Sequence, residues 1–254
     1  MKLYKLIFIL CIILVQSCST KKDVLLVQDL DDNFLSNIKY NQYQIKVDDI
    51  LKIDVSSESM ELSLIYNKNF NGTTLPNRES IILNGYLVNS QGNINFPNIG
   101  NMYVVGLTTT EVSDLIFNNL VSKGFLANPL VDVKVVNSYF TILGEVKLPG
   151  RYNFIENNMD ILTAIGIAGD LTINAKRTDL KIIRNKKNKR TISTIDLTNS
   201  DFLKSNDFQV NPGDIIIVNP NNSRVKNAGI IGNSGTLLSL LSFILSSIIV
   251  ISNS

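Results

Sequence analysis

Apolar and polar residues alternate with a period of two in several short stretches of this chain, which is the pattern of half-buried β-strands. The pattern predicts a strand, a turn at Asp48-Asp49 and a second strand within 43–55. The same reasoning predicts strand, glycine-containing turn and strand within 86–97, and further strands at 131–135, 140–146, 151–154, 180–184, 191–197 and 215–218. Residues 18–40 and 56–80 are polar and irregular, so we expect a tether and a loop there.

Two segments carry the apolar period of an amphipathic helix. Between Thr108 and Gly124, a capping box formed by Thr108 and Glu111 precedes an apolar stripe. A shorter helix is predicted from Asp160 to Ala168, ending at Gly169. Each helix lies among strands, so the chain is predicted to be α+β, with one small domain at 41–137 and a second at 138–222.

The last apolar stretch, 228–251, differs from all the others because no charged residue follows Lys226. At a rise of about 1.5 Å per residue, roughly 24 residues would cross a hydrocarbon layer of about 30 Å as one helix. Small residues recur here at spacings of three and four, which places them on one helix face. This small-residue stripe consists of Gly232, Gly235, Ser239, Ser242 and Ser246.

The first 17 residues have the features of a signal peptide. Lys2 and Lys5 precede an uninterrupted apolar run from Leu6 to Val15, which is too short to span a membrane. The run leads into Val15-Gln16-Ser17-Cys18, which resembles a bacterial lipobox, and Cys18 is therefore the predicted site of lipid attachment. An ordinary secretory signal with a chance cysteine is the alternative.

Charge and residue usage exclude several classes of function. The 24 basic and 22 acidic residues differ by two, and Lys2 and Lys5 account for that difference, so a mature chain is near neutral and shows no nucleic-acid-binding face. The basic run 186–190 is predicted to be a solvated hairpin turn, with a ligand patch as the alternative. The sequence has no histidine and, besides Cys11 in the signal, only Cys18, which excludes histidine-based catalysis and an internal disulfide in a mature chain. No cofactor is expected.

The order of these segments resembles the bacterial outer-membrane polysaccharide export lipoproteins. Segment 43–55 resembles the opening of their polysaccharide export domain, which usually has Gly-Asp where this chain has Asp48-Asp49. Segments 86–100, 106–111 and 128–133 match the rest of that domain in order and spacing. Segments 143–152, 164–169 and 212–218 resemble the SLBB module, a β-grasp fold.

The resemblance implies that the C-terminal helices of a homo-oligomeric ring form a barrel through which capsular polysaccharide or exopolysaccharide crosses the outer membrane of a Gram-negative bacterium. The chain would be lipid-anchored in that membrane, largely periplasmic and without catalytic residues, and its other partner would be an inner-membrane polysaccharide co-polymerase, often linked to a tyrosine kinase. The stripe would then line the pore. The residues expected to face lipid are Leu237, Leu238, Leu241, Ile244, Leu245, Ile248 and Ile249.

Other interpretations of the sequence stay open. The terminal helix could be a plain anchor that pairs helices without a pore, which would make the protein a periplasmic glycan-binding or scaffold lipoprotein. Scattered Asp and Glu residues could include a glycosidase pair, although no motif points to one. A secretory signal with an apolar tail also fits a glycolipid-anchored protein.

Overall fold

The computed structural model describes residues 24–29, 42–68, 77–156, 158–186 and 189–227, with isolated positions between 235 and 250. Ten strands lie in this part of the chain: β1 (Ile50–Ser56), β2 (Tyr86–Leu87), β3 (Asn93–Phe96), β4 (Gly100–Tyr103), β5 (Leu130–Val135), β6 (Tyr139–Gly144), β7 (Gly150–Asn153), β8 (Ala175–Lys186), β9 (Lys189–Ile195) and β10 (Ile215–Pro220). The helices are α1 (Met60–Ser63), α2 (Arg78–Leu83), α3 (Thr109–Ser122), α4 (Ile161–Ile167) and α5 (Asn222–Asn227). Two 3-10 helices span Leu64–Tyr66 and Ser200–Lys204. The α+β class is confirmed.

The first sheet has the order β2-β1-β5, and β1 is antiparallel to both neighbours. A separate hairpin joins β3 to β4. Alternation along β1 directs Leu51, Ile53 and Val55 inward, where they pack with α3 and the hairpin in one cluster of buried side chains, the first core. Burial of this apolar face, at about 25 cal/mol for each Å² removed from water, drives the packing of these elements.

Helix α3 follows the sequence prediction closely. Thr108 is the N-cap, its hydroxyl accepts the Glu111 N–H, and the Glu111 carboxylate accepts the Thr108 N–H at 2.7 Å. Val112, Ile116 and Leu120 are buried against the first core. The cap is local chemistry, so the sequence alone defined where this helix begins.

Two predictions in this half of the chain were wrong. Residues 42–46 form no strand, because their backbone bonds elsewhere: Ile45 exchanges hydrogen bonds with Gly106 and Leu107, just before α3. The stretch 56–80, predicted as loop, contains α1, a 3-10 helix and the start of α2. The 3-10 helix carries Tyr66, whose ring is buried against Phe96 in the first core. The described part of this polar stretch is therefore partly helical and contributes one aromatic side chain to the first core.

The second sheet has the order β7-β6-β10-β8-β9. The first and last of these strands in the chain, β6 and β10, lie side by side and parallel at its centre, and the other neighbours are antiparallel. Helix α4 begins at the N-cap Asp160 and buries Ile161, Ala164 and Ile165 in the second core, a cluster drawn from residues 140–218. The predicted β8–β9 hairpin is present.

Part of the predicted tether contacts the second sheet. The N–H groups of Val27 and Gln28 donate to the carbonyls of Leu197 and Thr198 at 2.9 and 2.8 Å. The Asp29 carboxylate accepts the N–H and hydroxyl of Ser200 at 2.6 and 3.0 Å. Residues 24–29, the N-terminal strap, are therefore held against the second sheet.

Candidate functional site

The residues predicted to act at the membrane are only partly described. Gly235, Leu238, Ser239, Ser242 and Ser246 are described, helical and exposed. The remaining predicted positions lie outside the described residues: Cys18, Gly232, Leu237, Leu241, Ile244, Leu245, Ile248 and Ile249. Pore lining and lipid attachment therefore stay predictions.

The hydroxyl groups of the stripe bond within their own helix. Ser242 Oγ donates to the carbonyl of Ser239, and Ser246 Oγ donates to the carbonyl of Ser242, both at 2.8 Å. Each donor is satisfied without water, while the hydroxyl oxygen keeps lone pairs that can accept a hydrogen bond. The stripe is thus compatible with a wet lumen and equally with a dry contact between helices.

Within the described residues, no helix combines the length and the apolar character required to cross a bilayer.

A groove of about 210 Å³ lies where the two cores meet. Gln42, Tyr43 and the start of α3 line one side, and Phe154 and Asn211 belong to the other. Glu156 is the only carboxylate among the described residues that line it. Glycoside hydrolysis requires two carboxyl groups around the scissile bond. The described lining of the groove contains no such pair.

Asp48 and Asp49 shape the turn that borders this groove. Asp49 is buried and accepts the Lys46 N–H at 2.7 Å and the Tyr43 hydroxyl at 2.9 Å. Burial raises the pKa of Asp49, against the opposing effect of these two hydrogen bonds. Burial, followed by the charge of Asp49, raises the pKa of Tyr43 well above its usual range. Asp48 has φ +70°, so the pair forms a turn, as predicted.

An ion pair that the sequence did not reveal lies at the same junction. Arg184 Nη2 donates to Asp214 Oδ2 at 2.7 Å, and Arg184 Nη1 donates to Asp207 Oδ1 at 3.1 Å. Burial opposes the charge on Arg184, but hydrogen bonding to Asp214 and the two carboxylate charges outweigh it and raise the pKa of Arg184. Burial also raises the pKa of Asp214, which Arg184 opposes.

This pair is structural. Asp214 is only 1% exposed and also accepts the Asn211 N–H at 2.8 Å, so its carboxylate is inaccessible to a polymer and ties the turn before β10 to Arg184 of β8. Asp214 belongs to the Pro212-Gly213-Asp214 motif on which the resemblance partly rested. The motif's acidic residue therefore has a packing explanation, and the 30-residue separation from Arg184 left no local signal for it.

The sequence of this chain is similar to sequences of known polysaccharide export proteins. Residues 38–136 match the family described as polysaccharide biosynthesis/export protein. A relative from Ralstonia solanacearum, the EPS I polysaccharide export outer membrane protein EpsA, is 30% identical over 147 residues, which are 53% of this chain and 37% of the relative. The chain thus spans little more than a third of that relative's length.

The matched residues coincide with the first sheet, its hairpin and helix α3, which together enclose the first core. The family match and the relative confirm the polysaccharide-export part of the resemblance drawn from the sequence motifs, and its SLBB part stays a prediction. Residues 38–136 of this chain therefore match the polysaccharide biosynthesis/export protein family.

Proposed function

We propose that this protein is a subunit of an oligomeric outer-membrane translocon that exports capsular polysaccharide or exopolysaccharide through a barrel of C-terminal helices. The observation that carries the proposal is the family match over 38–136. The name of the Ralstonia relative adds support for an outer-membrane location.

The second domain, 138–222, is proposed to be the SLBB module of this translocon. In a β-grasp fold, the first and last strands lie parallel at the centre of the sheet, and one helix packs on it. Here β6 and β10 are that central parallel pair, and α4 supplies buried side chains to the second core. A separate core for each half supports domain boundaries near residue 137.

The membrane attachments in this proposal are an acyl group on Cys18 and a helix formed by 228–251. The subunit would pass the polymer without chemical change, and a periplasmic contact with an inner-membrane co-polymerase would link export to synthesis.

Topology tests the proposal directly. An epitope tag added after Ser254 should be labelled by antibody on intact cells, because a helix that crosses the outer membrane from the periplasm ends outside. A tag inserted between β8 and β9, at positions 187–188, is the matched control and should be labelled only after outer-membrane disruption. A C-terminal tag that also requires disruption would refute the translocon.

The small-residue stripe can be tested with a pair of lysine substitutions. Ser239 and Leu241 lie two residues apart in sequence and about 160° apart around a helix with 3.6 residues per turn. A charge facing lipid costs about 2–4 kcal/mol, so Leu241→Lys should abolish export while Ser239→Lys reduces it less. Equal damage from both substitutions would argue for a plain anchor without a lumen.

Oligomeric state separates the proposal from the scaffold alternative. Electron microscopy of the detergent-extracted protein should show rings with a helical barrel attached. A monomer or dimer in mild detergent would favour the glycan-binding scaffold, in which the helix only anchors the chain.

A further inference from the structure

One end of the second sheet brings together all the chain segments that lead toward the predicted membrane attachments. At this exit end, β10 finishes at Pro220 opposite Ala175, where β8 begins. Strand β9 also finishes here, because Ile195 pairs with Leu180 and Leu180 pairs with Val218. The C-terminal stretch therefore leaves the fold from the exit end, through α5.

The N-terminal strap is fixed at the same end. Val27 bonds to the carbonyl of Leu197, and the N–H of Leu197 donates in turn to the carbonyl of Arg177 at 2.9 Å, next to the start of β8. The Val27 side chain packs against the second core. Val24 follows Cys18 by six residues, at most about 21 Å of extended chain, so an acyl group on Cys18 would be tethered near the exit end.

The exit end also exposes apolar side chains together with cations. Ile173 is 67% exposed and lies in the turn before β8, where its carbonyl accepts the Asn221 side-chain N–H at 3.4 Å. Leu148, in the β6–β7 turn, and Val225 on α5 are also exposed. The strap adds Leu25 and Leu26, both exposed.

Two partly solvated cations border these side chains. Lys176 begins β8 after Ala175, and its ammonium lies 3.4 Å from Asp179. The Arg224 guanidinium on α5 lies 3.7 Å from Glu145, a loose contact that leaves it largely in solvent. Exposed apolar side chains beside basic residues are the composition of surfaces that rest in the headgroup region of anionic bilayers.

We propose that the exit end of the second sheet is a membrane-contacting surface. Ile173, Leu148 and Val225 enter the lipid interface, Lys176 and Arg224 contact anionic headgroups, and the strap seats the lipidated N-terminus beside them. The proposal deepens the proposed function and rests on its two predicted membrane attachments and on the outer membrane as the bilayer. Its occupant is lipid rather than a protein, because both chain segments that lead to the predicted membrane attachments are held at this end.

Two isoleucines at opposite ends of the sheet provide a matched test. Ile173 lies at the exit end, and Ile155, 60% exposed, follows β7 at the opposite end. Full-length Ile173→Cys and Ile155→Cys proteins would be labelled with an environment-sensitive fluorophore and reconstituted into phosphatidylethanolamine–phosphatidylglycerol vesicles containing nitroxide-labelled lipid. Wild-type protein treated with the same dye is the blank. We expect most of the emission to be quenched at position 173 and little at position 155.

Equal and weak quenching at both positions would overturn the proposal. Protection of the label at 173 from aqueous iodide without quenching by lipid would also overturn it, and would indicate a second copy of the chain as the occupant. The combined substitution Lys176→Gln and Arg224→Gln should reduce quenching at 173 to its level in vesicles lacking phosphatidylglycerol. If quenching at 173 were not reduced, Lys176 and Arg224 would not be part of the membrane-contacting surface.

A third label separates this inference from the proposed function. Leu238→Cys reports on the C-terminal stretch. Quenching at 238 without quenching at 173 would overturn the exit-end surface and leave the membrane helix in place. Quenching at 173 without quenching at 238 would support the surface and count against the barrel.

Discussion

Asp48 occupies a backbone conformation that suits glycine better than any other residue. Its φ of +70° is in the left-handed region, which costs a residue with a Cβ about 1–2 kcal/mol, with aspartate and asparagine at the tolerant end. Two hydrogen bonds hold this conformation. The Asp48 N–H donates to the carbonyl of Val88 at 3.0 Å, and the Asp48 carbonyl accepts the Asn137 side-chain N–H at 2.8 Å. Among the described residues, the Asp48 side chain makes no hydrogen bond that its removal would break.

Replacement of Asp48 by glycine should therefore stabilise the protein. Relief of the left-handed strain, about 1–2 kcal/mol, is offset by the greater freedom of glycine in the unfolded chain, about 0.4–1 kcal/mol, so the net gain lies between about 0 and 1.6 kcal/mol, with a representative value of about 0.7 kcal/mol. A second contribution has the same sign. Asp49 already has a raised pKa, chiefly from burial, and the charge of Asp48 adds to that increase.

Urea unfolding of the detergent-solubilised protein, followed by tyrosine fluorescence, measures this gain. The sequence has eight tyrosines and no tryptophan. With a denaturant dependence of about 1–3 kcal/mol per molar urea, a gain of about 0.7 kcal/mol moves the midpoint upward by about 0.2–0.7 M.

Three further variants separate backbone conformation from charge. Asp48→Asn removes the charge and keeps a tolerant side chain, so it should fall between wild type and Asp48→Gly. Asp48→Ala also removes the charge but should destabilise, because alanine is poorly tolerated at positive φ. Val47→Gly, one residue earlier in the turn, should lower the midpoint. If Asp48→Ala were as stable as Asp48→Gly, the conformational argument would be refuted.

Three further predictions test the remaining structure. Arg184→Met leaves the buried Asp214 carboxylate unpaired and should cost about 3–5 kcal/mol of unfolding free energy. Asp207→Asn affects the more exposed carboxylate of the same ion pair and should cost less than about 1 kcal/mol. Equal losses in urea unfolding would contradict the burial argument. Burial raises the pKa of Tyr86 from 10.0 to about 12, so the folded state keeps a proton that the unfolded state releases, and stability falls as pH rises across this interval. Tyr86→Phe should lack that fall, which amounts to roughly 3 kcal/mol, and a constant difference from wild type between pH 9 and pH 12 would show that this pKa is not raised. Gly144 has φ +91°, and a Cβ there would lie 2.0 Å from a β10 carbonyl oxygen, so Gly144→Ala should cost about 3 kcal/mol or more of unfolding free energy. Gly166 lies on α4 with open space around it, so Gly166→Ala should raise the melting temperature. Similar thermal melts for the two variants would contradict this contrast.

Local patterns in the sequence were sufficient for the elements that depend on local chemistry. The capping box of Thr108 and Glu111 defined the start of α3, and the Asp160 cap did the same for α4. Alternation predicted β5, β6, β8, β9 and β10, and the order of motifs predicted a polysaccharide export domain at 41–137, which the family match over 38–136 supports. Each of these signals is contained within a few consecutive residues.

The choice of partners required the tertiary structure. Two strands joined by a glycine-containing turn were predicted within 86–97, but these strands, β2 and β3, do not pair with each other: β2 pairs with β1 and β3 pairs with β4. Two short helices and a 3-10 helix lie between residues 56 and 84, and the buried ring of Tyr66 in the 3-10 helix has no local period that would predict it.

For Asp48 and Arg184, too, the sequence predicted local features and the tertiary structure supplied the contacts. The sequence identified Asp48-Asp49 as a turn, but only the fold shows that Asp48 has a positive φ, held by bonds to Val88 and Asn137. Arg184 meets Asp214 across two strands, and the strap meets residues 197–200 far along the chain. The sequence by itself determined most of the helices, strands and turns that carry a cap or an apolar period, because these signals act over one or two turns of chain. The tertiary structure decided which segments touch, because burial and pairing depend on surfaces that exist only after distant segments have packed together.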